Sequence, residues 1–151
     1  MKSNRQIIIE LKELLRLVNE GKEKFERSSE AADKIELKGL FLRFSAQRAL
    51  YASELEAHME KHGAKADAEH AGLLDTFHQT WNDIKQALSS KEDKAILKAV
   101  LDGEKVTLDK YNRLIADFDD HADHLELLRT QRDGVVEAME AVYELLSRQT
   151  S

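Results

Sequence analysis

The stretch DKAILKAVLDGEKVTLDKYNRLIADF, residues 93–118, decides the fold. Leu97, Leu101, Glu104, Leu108, Tyr111, Ile115 and Phe118 recur along it at alternating spacings of four and three. That is the period of a single stripe running down a long helix, whereas a strand would need alternation by two. The rhythm occurs three more times. From about 4 to 29 it picks out Ile7, Leu11, Leu14, Val18, Gly21 and Phe25; from 34 to 62 it picks out Leu37, Leu40, Phe44, Gln47, Tyr51, Glu54 and His58. The last helix, about 120–148, carries His121, His124, Leu128, Gln131, Val135, Ala138, Val142 and Leu145. Four stripes that must each be covered predict a four-helix bundle, with residues 1–151 forming one all-α domain.

Composition agrees with long helices. The 151 residues contain no proline and only six glycines, and 34% are Asp, Glu, Lys or Arg, which disfavours sheets joined by tight turns. A net charge of −6 argues against a surface that neutralises phosphates, so nucleic acid is not expected as a partner. The lack of cysteine excludes disulfides and thiolate chemistry and fits a reducing compartment. Ile7, Ile8 and Ile9 form too short an apolar run for a signal segment or a membrane span, so the expectation is a soluble cytoplasmic protein with no membrane partner.

Connection lengths choose the topology. Asp33 with Glu36 reads as a capping box opening the second helix, Gly63 as the glycine that closes it, and Ser90 with Asp93 as a similar start for the third, about 91–117. Short links at 29–33 and 118–120 make hairpins of the first and last helix pairs. Between the hairpins lies a connector, 67–88, carrying Leu74, Phe77, Trp81, Ile84 and Leu88. As a helix it would span about 33 Å, enough to return the chain along the bundle. Helices two and three would then be parallel, with Phe77 and Trp81 buried, in the up-down-down-up order of ferritin-like folds. A fifth helix merely docked on the side is the competing arrangement.

Several short motifs add a resemblance. Asn19-Glu20-Gly21, Leu40-Phe41, Gln47-Arg48, His78-x-x-Trp81, Asp93-Lys94-Ala95-Ile96-Leu97, Gly103-Glu104 and Gln131-Arg132 follow one another in order over nearly the whole chain. Together they resemble an uncharacterised bacterial four-helix-bundle family that carries a domain-of-unknown-function label and is placed among ferritin-like proteins. The resemblance implies that fold and no established activity.

Gln47, Glu104 and Gln131 lie near the midpoints of their helices on the predicted seams, beside Gly21, and are expected to form one polar layer. The repeated Gln-Arg dipeptide suggests duplication of a helical hairpin. A ferritin-like di-iron centre at that height needs a Glu on each of two helices and Glu-x-x-His on each of the others. Here those last positions read Gln47-x-x-Leu50 and Gln131-x-x-Gly134, and the first helix offers Gly21 and Lys22, so Glu104 is left as the lone carboxylate. No cofactor is therefore expected. Iron or manganese would have to use an unusual set of Glu104, Gln47 and Gln131 with Glu20 or Glu23. A seam carboxylate needs a partner, for which Lys22, Gln47, Gln131 or water are the candidates, and on that reading Glu104→Gln is tolerated.

At the end of the bundle where helix two stops and helix four starts, His58, His62, His121 and His124 gather with Glu54, Tyr111 and several aspartates. Such spacing can chelate Zn²⁺ or Ni²⁺. The weightier reading is a polar helix-end cluster, with Glu54, Tyr111 and His124 in one layer and His124 hydrogen-bonded to Glu54 or Tyr111. His70 and His78 are ambiguous, and His78 with Trp81 reads as a docking pair. No phosphate loop, serine triad or His-Glu-x-x-His motif is present. The expected function is a non-catalytic structural or interaction protein that has lost its metal chemistry and acts through a homo-oligomer or another protein. The alternative is a metal-dependent oxidoreductase or metal-storage protein.

Overall fold

The computed structural model describes residues 3–63, 85–90, 92–118 and 122–149. Among them the chain is all-helical, with four long helices, α1 (Asn4–Ala31), α2 (Ile35–Lys61), α3 (Asp93–Asp117) and α4 (Ala122–Gln149). Residues 85–90 are also helical. Most of the predicted connector, with Phe77, Trp81, His70 and His78, lies outside the described residues, as does His121.

Helix boundaries follow local chemistry. Ser3 opens α1 with a capping box: its Oγ accepts from the Gln6 N–H at 3.2 Å and the Gln6 side chain accepts from the Ser3 N–H at 2.8 Å. The box expected from Asp33 and Glu36 is not formed, because Lys34 is the N-cap of α2 and makes no side-chain cap. The Asp93 carboxylate accepts instead from the backbone N–H of Asp33, at 2.8 Å, and of Lys34, at 3.3 Å. Ser90 and Asp93 do not cap α3 either, since its N-cap is Glu92 without a side-chain bond. Gly63, at φ 85°, supplies the left-handed residue after the His62 C-cap, as its position implied.

Contacts at the helix ends fix direction. Asp93 ties the start of α3 to the start of α2, so these two helices leave from the same end. His58, near the end of α2, meets His124 in the first turn of α4, and Arg148 at the end of α4 approaches Glu36 at the start of α2. Lys110, late in α3, reaches Glu10 and Glu13, early in α1. Thus α1 is antiparallel to both α2 and α3, and α4 is antiparallel to both as well.

Two apolar clusters fill the interior. One gathers Ile7, Leu11, Leu14, Leu55, Met59, Leu114, Phe118 and Leu128 at the α4-start end; the other gathers Phe25, Leu37, Phe41, Ile96, Leu97, Ala138 and Val142 at the opposite end. Each of these side chains larger than that of alanine contributes about 1.5–3 kcal/mol. Among the described residues the seams of α1 and α4 are buried where their spacing puts them, apart from the half-buried Gly21 and Leu145, whereas α3 buries Leu97, Leu101, Glu104, Tyr111 and Phe118 of its predicted seam and leaves Leu108 and Ile115 half-buried, with Thr107 and Leu114 inside in their place. In α2 the buried line is Leu37, Phe41, Phe44, Arg48, Tyr51, Leu55 and Met59, so Leu37, Phe44 and Tyr51 of the predicted seam are buried, whereas Leu40, Gln47, Glu54 and His58 are only half-buried and each gives way to the residue after it. α2 also carries apolar side chains on its outer face, with Ile35, Leu42 and Leu50 exposed at 85%, 55% and 56%. Leu37, Phe44 and Tyr51 fit either a three-four or a four-three stepping, and between them neighbours such as Leu40 and Phe41 give the period two solutions.

Candidate functional site

At the centre the buried line of α2 runs through Arg48 rather than Gln47. Arg48, fully buried, projects from α2 across the core to Glu104 of α3, its Nη1 donating to Oε2 at 2.8 Å and its Nη2 to Oε1 at 2.5 Å. This is the bidentate fork that planar guanidinium and carboxylate groups make. Arg48 Nε also donates to Gln47 Oε1 at 3.2 Å, and its Cζ lies 5.1 Å from the centre of the Phe25 ring. Burial disfavours the charge on Arg48, but the Glu104 carboxylate more than offsets it and holds the guanidinium pKa above its ordinary value. The cation facing Glu104 is therefore Arg48 and not Lys22, which is half-buried and whose backbone carbonyl accepts from Ser45. Arg48 was missed because its charge disqualified it from the seam; the aromatic Phe41, seven residues earlier, was the available signal.

Gln131, fully buried, forms a second knot. Its Oε1 accepts from the Tyr111 hydroxyl at 2.6 Å, and its Nε2 donates to the Tyr51 carbonyl at 3.2 Å and to Glu54 Oε1 at 3.0 Å. Every polar atom of the amide is thereby engaged. Burial is the main reason the Tyr111 phenol is pushed well above its usual pKa, so it remains a donor. Gly134 gives this layer its space: a Cβ there would sit 1.8 Å from the Tyr51 hydroxyl oxygen.

The two Gln-Arg dipeptides are not equivalent. In the first the arginine is buried, whereas in the second the glutamine is, with Arg132 turned outward to Asp133 and Asn112. This speaks against a structural repeat of the hairpin. Of the other carboxylates considered, Glu23 is exposed and paired with Arg27, and Glu20 is half-buried, its charge acting on Lys24.

At the end of the packed helices His124 meets His58 rather than Glu54 or Tyr111, with His58 Nε2 2.6 Å from His124 Nδ1. His62 Nε2 lies 3.0 Å from Asp123 Oδ2. The ring centres of His58, His62 and His124 are mutually 4.6–4.8 Å apart. His58 is held below its ordinary pKa, chiefly by burial and then by the neighbouring His62. Burial opposes ionisation of Asp123, yet the charges of His124 and His62 and the bond from His62 hold its carboxyl below the usual range. Glu54 and Tyr111 share a layer around Gln131, and His124 stands apart from it.

Lys110 is a further buried charge that sequence reasoning missed. It is 4% exposed and donates to Glu10 at 3.1 Å and Glu13 at 2.9 Å. Two glutamates three apart on α1, flanking Leu11 and Leu14 of the seam, were the legible half of this contact.

These features define an all-helical protein whose middle is closed by an internal ion pair. A family model described as "Domain of unknown function (DUF2383)" matches residues 6–117, and the chain belongs to that family. No curated protein and no solved structure matches the chain. None of the described helices is long and apolar enough to cross a membrane.

Proposed function

We propose that the protein is a ferritin-like four-helix bundle in up-down-down-up order, without redox chemistry at its centre, which works as a structural or interaction protein by pairing with a second copy of itself. The shared starting end of α2 and α3 supports the topology. The grip of Arg48 on Glu104 supports the loss of central chemistry: a di-metal centre would have to displace a buried guanidinium from the one carboxylate the layer offers.

The outward face of α2 carries the reading. Ile35, Gly39, Leu42, Ala46, Leu50, Ser53 and Ala57 are all exposed, and at 100° per residue they fall within about 80° of arc, a stripe about 33 Å long without a charge. Their spacing is the same read in either direction from Ala46. An antiparallel, two-fold pairing about Ala46 sets Leu42 against Leu50, Gly39 against Ser53 and Ile35 against Ala57 of the second copy, large residues meeting large ones at the centre and a small one at each end. A pattern that is its own reverse is what a self-complementary two-fold interface requires. Exposed apolar stripes of this length mark association surfaces.

Sedimentation of the full chain should give a dimer at micromolar concentration, and Leu42→Glu with Leu50→Glu should give a folded monomer with unchanged helical content. A wild-type monomer at high concentration would sink the self-association reading. Retention of the dimer in the double variant would move it to another face.

A further inference from the structure

We infer that His58, His62, Asp123 and His124 form a binding site for one zinc ion, a clip that joins the end of α2 to the beginning of α4. The inference goes beyond the reading above and does not depend on it. One ligand atom from each of the four residues can be chosen so that all lie within 4.8 Å of one another. Zinc in a four-ligand site binds imidazole nitrogen and carboxylate oxygen at about 2.0–2.2 Å, which places tetrahedral ligand atoms about 3.3 Å apart. The pair His58 Nε2 and His124 Nδ1, at 2.6 Å, must open slightly, and the widest pair must close by about 1.5 Å. Side-chain rotation on two helix ends supplies both adjustments.

The donor set selects the class of ion. Three imidazoles and one carboxylate suit Zn²⁺ and its first-row neighbours, whereas Mg²⁺ and Ca²⁺ require oxygen ligands. His58 in the last turn of α2 and His62, its C-cap, are four residues apart, and their ring centres lie 4.8 Å apart on one side of the helix end. His124 is buried, His58 and His62 are half-buried, and Asp123 is exposed, which leaves an entry path on the Asp123 side. The bonds between His58 and His124 and between His62 and Asp123 are given up on binding, the proton between the first pair leaving its ligating nitrogen, by tautomer shift or to solvent, and the Asp123 carboxylate then faces the cation directly. Four protein ligands fill a tetrahedron and leave no open position, so the ion's work is to fasten helices rather than to activate water.

The test uses the full chain, stripped of metal and free of any histidine tag, titrated calorimetrically with Zn²⁺ and spectroscopically with Co²⁺. One equivalent per chain should bind, with the intense visible absorption of tetrahedral Co²⁺ and a rise in melting temperature. His62→Ala and Asp123→Ala, at half-buried and exposed positions respectively, lose their mutual bond but should leave the apo protein folded, and each should lower Zn²⁺ affinity by about tenfold or more. His124→Ala alone would not decide the matter, since that ring is buried and its loss can unfold the helix end. Absence of saturable binding, or affinity unchanged in both accessible variants, would overturn the site. Either result leaves the oligomeric state, and with it the proposed self-association, to be judged separately.

Discussion

Arg48 and Glu104 place two full charges in the driest part of the protein, where neither can turn to water. An amide in place of Glu104 keeps the shape but not the charge, and leaves a buried guanidinium without its counter-ion. The tolerance of Glu104→Gln expected from the sequence therefore reverses: the substitution should cost about 3–5 kcal/mol in urea unfolding. Arg48→Met with Glu104→Leu removes both charges, and the pair should recover most of that loss. A double-mutant cycle measures both, and a Glu104→Gln variant as stable as wild type would refute the argument. The sequence marked Glu104 because a carboxylate interrupts an otherwise apolar seam. It concealed Arg48 because a long cation on the neighbouring position is, in most helices, a solvated side chain that reaches past its seam.

Among the elements, α1 and α4 were legible because each has one apolar face and a charged remainder, so the period has a single solution, whereas α3 was legible in part, since Leu108 and Ile115 of its stripe are half-buried and Thr107 and Leu114 lie inside in their place. In α2 Leu37, Phe44 and Tyr51 were legible, but between them the choice lay between adjacent residues, Leu40 or Phe41, Gln47 or Arg48 and Glu54 or Leu55, and the packing takes the second of each. Its first turn also depends on another element. The loop before α2 is held by the Asp93 carboxylate of α3, which accepts two backbone N–H groups from a place some sixty residues away in the chain, a contact no local pattern announces. Asp93→Ala should lower stability by about 1 kcal/mol, the usual worth of a lost cap, and Asp93→Asn by less. Equilibrium unfolding checks this, with no change in either variant as the contrary result. The histidine cluster was half-legible on the same grounds. The spacing of His58 and His62 is local to one helix, but their meeting with His124 depends on how α2 and α4 are packed.

At the scale of the whole molecule, the polar slab made by Arg48, Glu104, Gln131 and Tyr111 divides the interior into two oily compartments, with Met139 packed against both. Each compartment draws on one half of all four helices, so the natural seam of the protein runs across the helices and not between them. Breathing motions should respect that seam. Native-state hydrogen exchange should sort the slowest amides into two groups with separate opening free energies: one from early α1, late α2, late α3 and early α4, the other from the complementary halves. A single opening energy for all four helices would show that the slab transmits cooperativity instead of interrupting it. If two groups are found, a cation held by His58, His62, Asp123 and His124 should slow exchange in the first group and leave the second at its former pace, so that one end of the protein stiffens while the other keeps its motion.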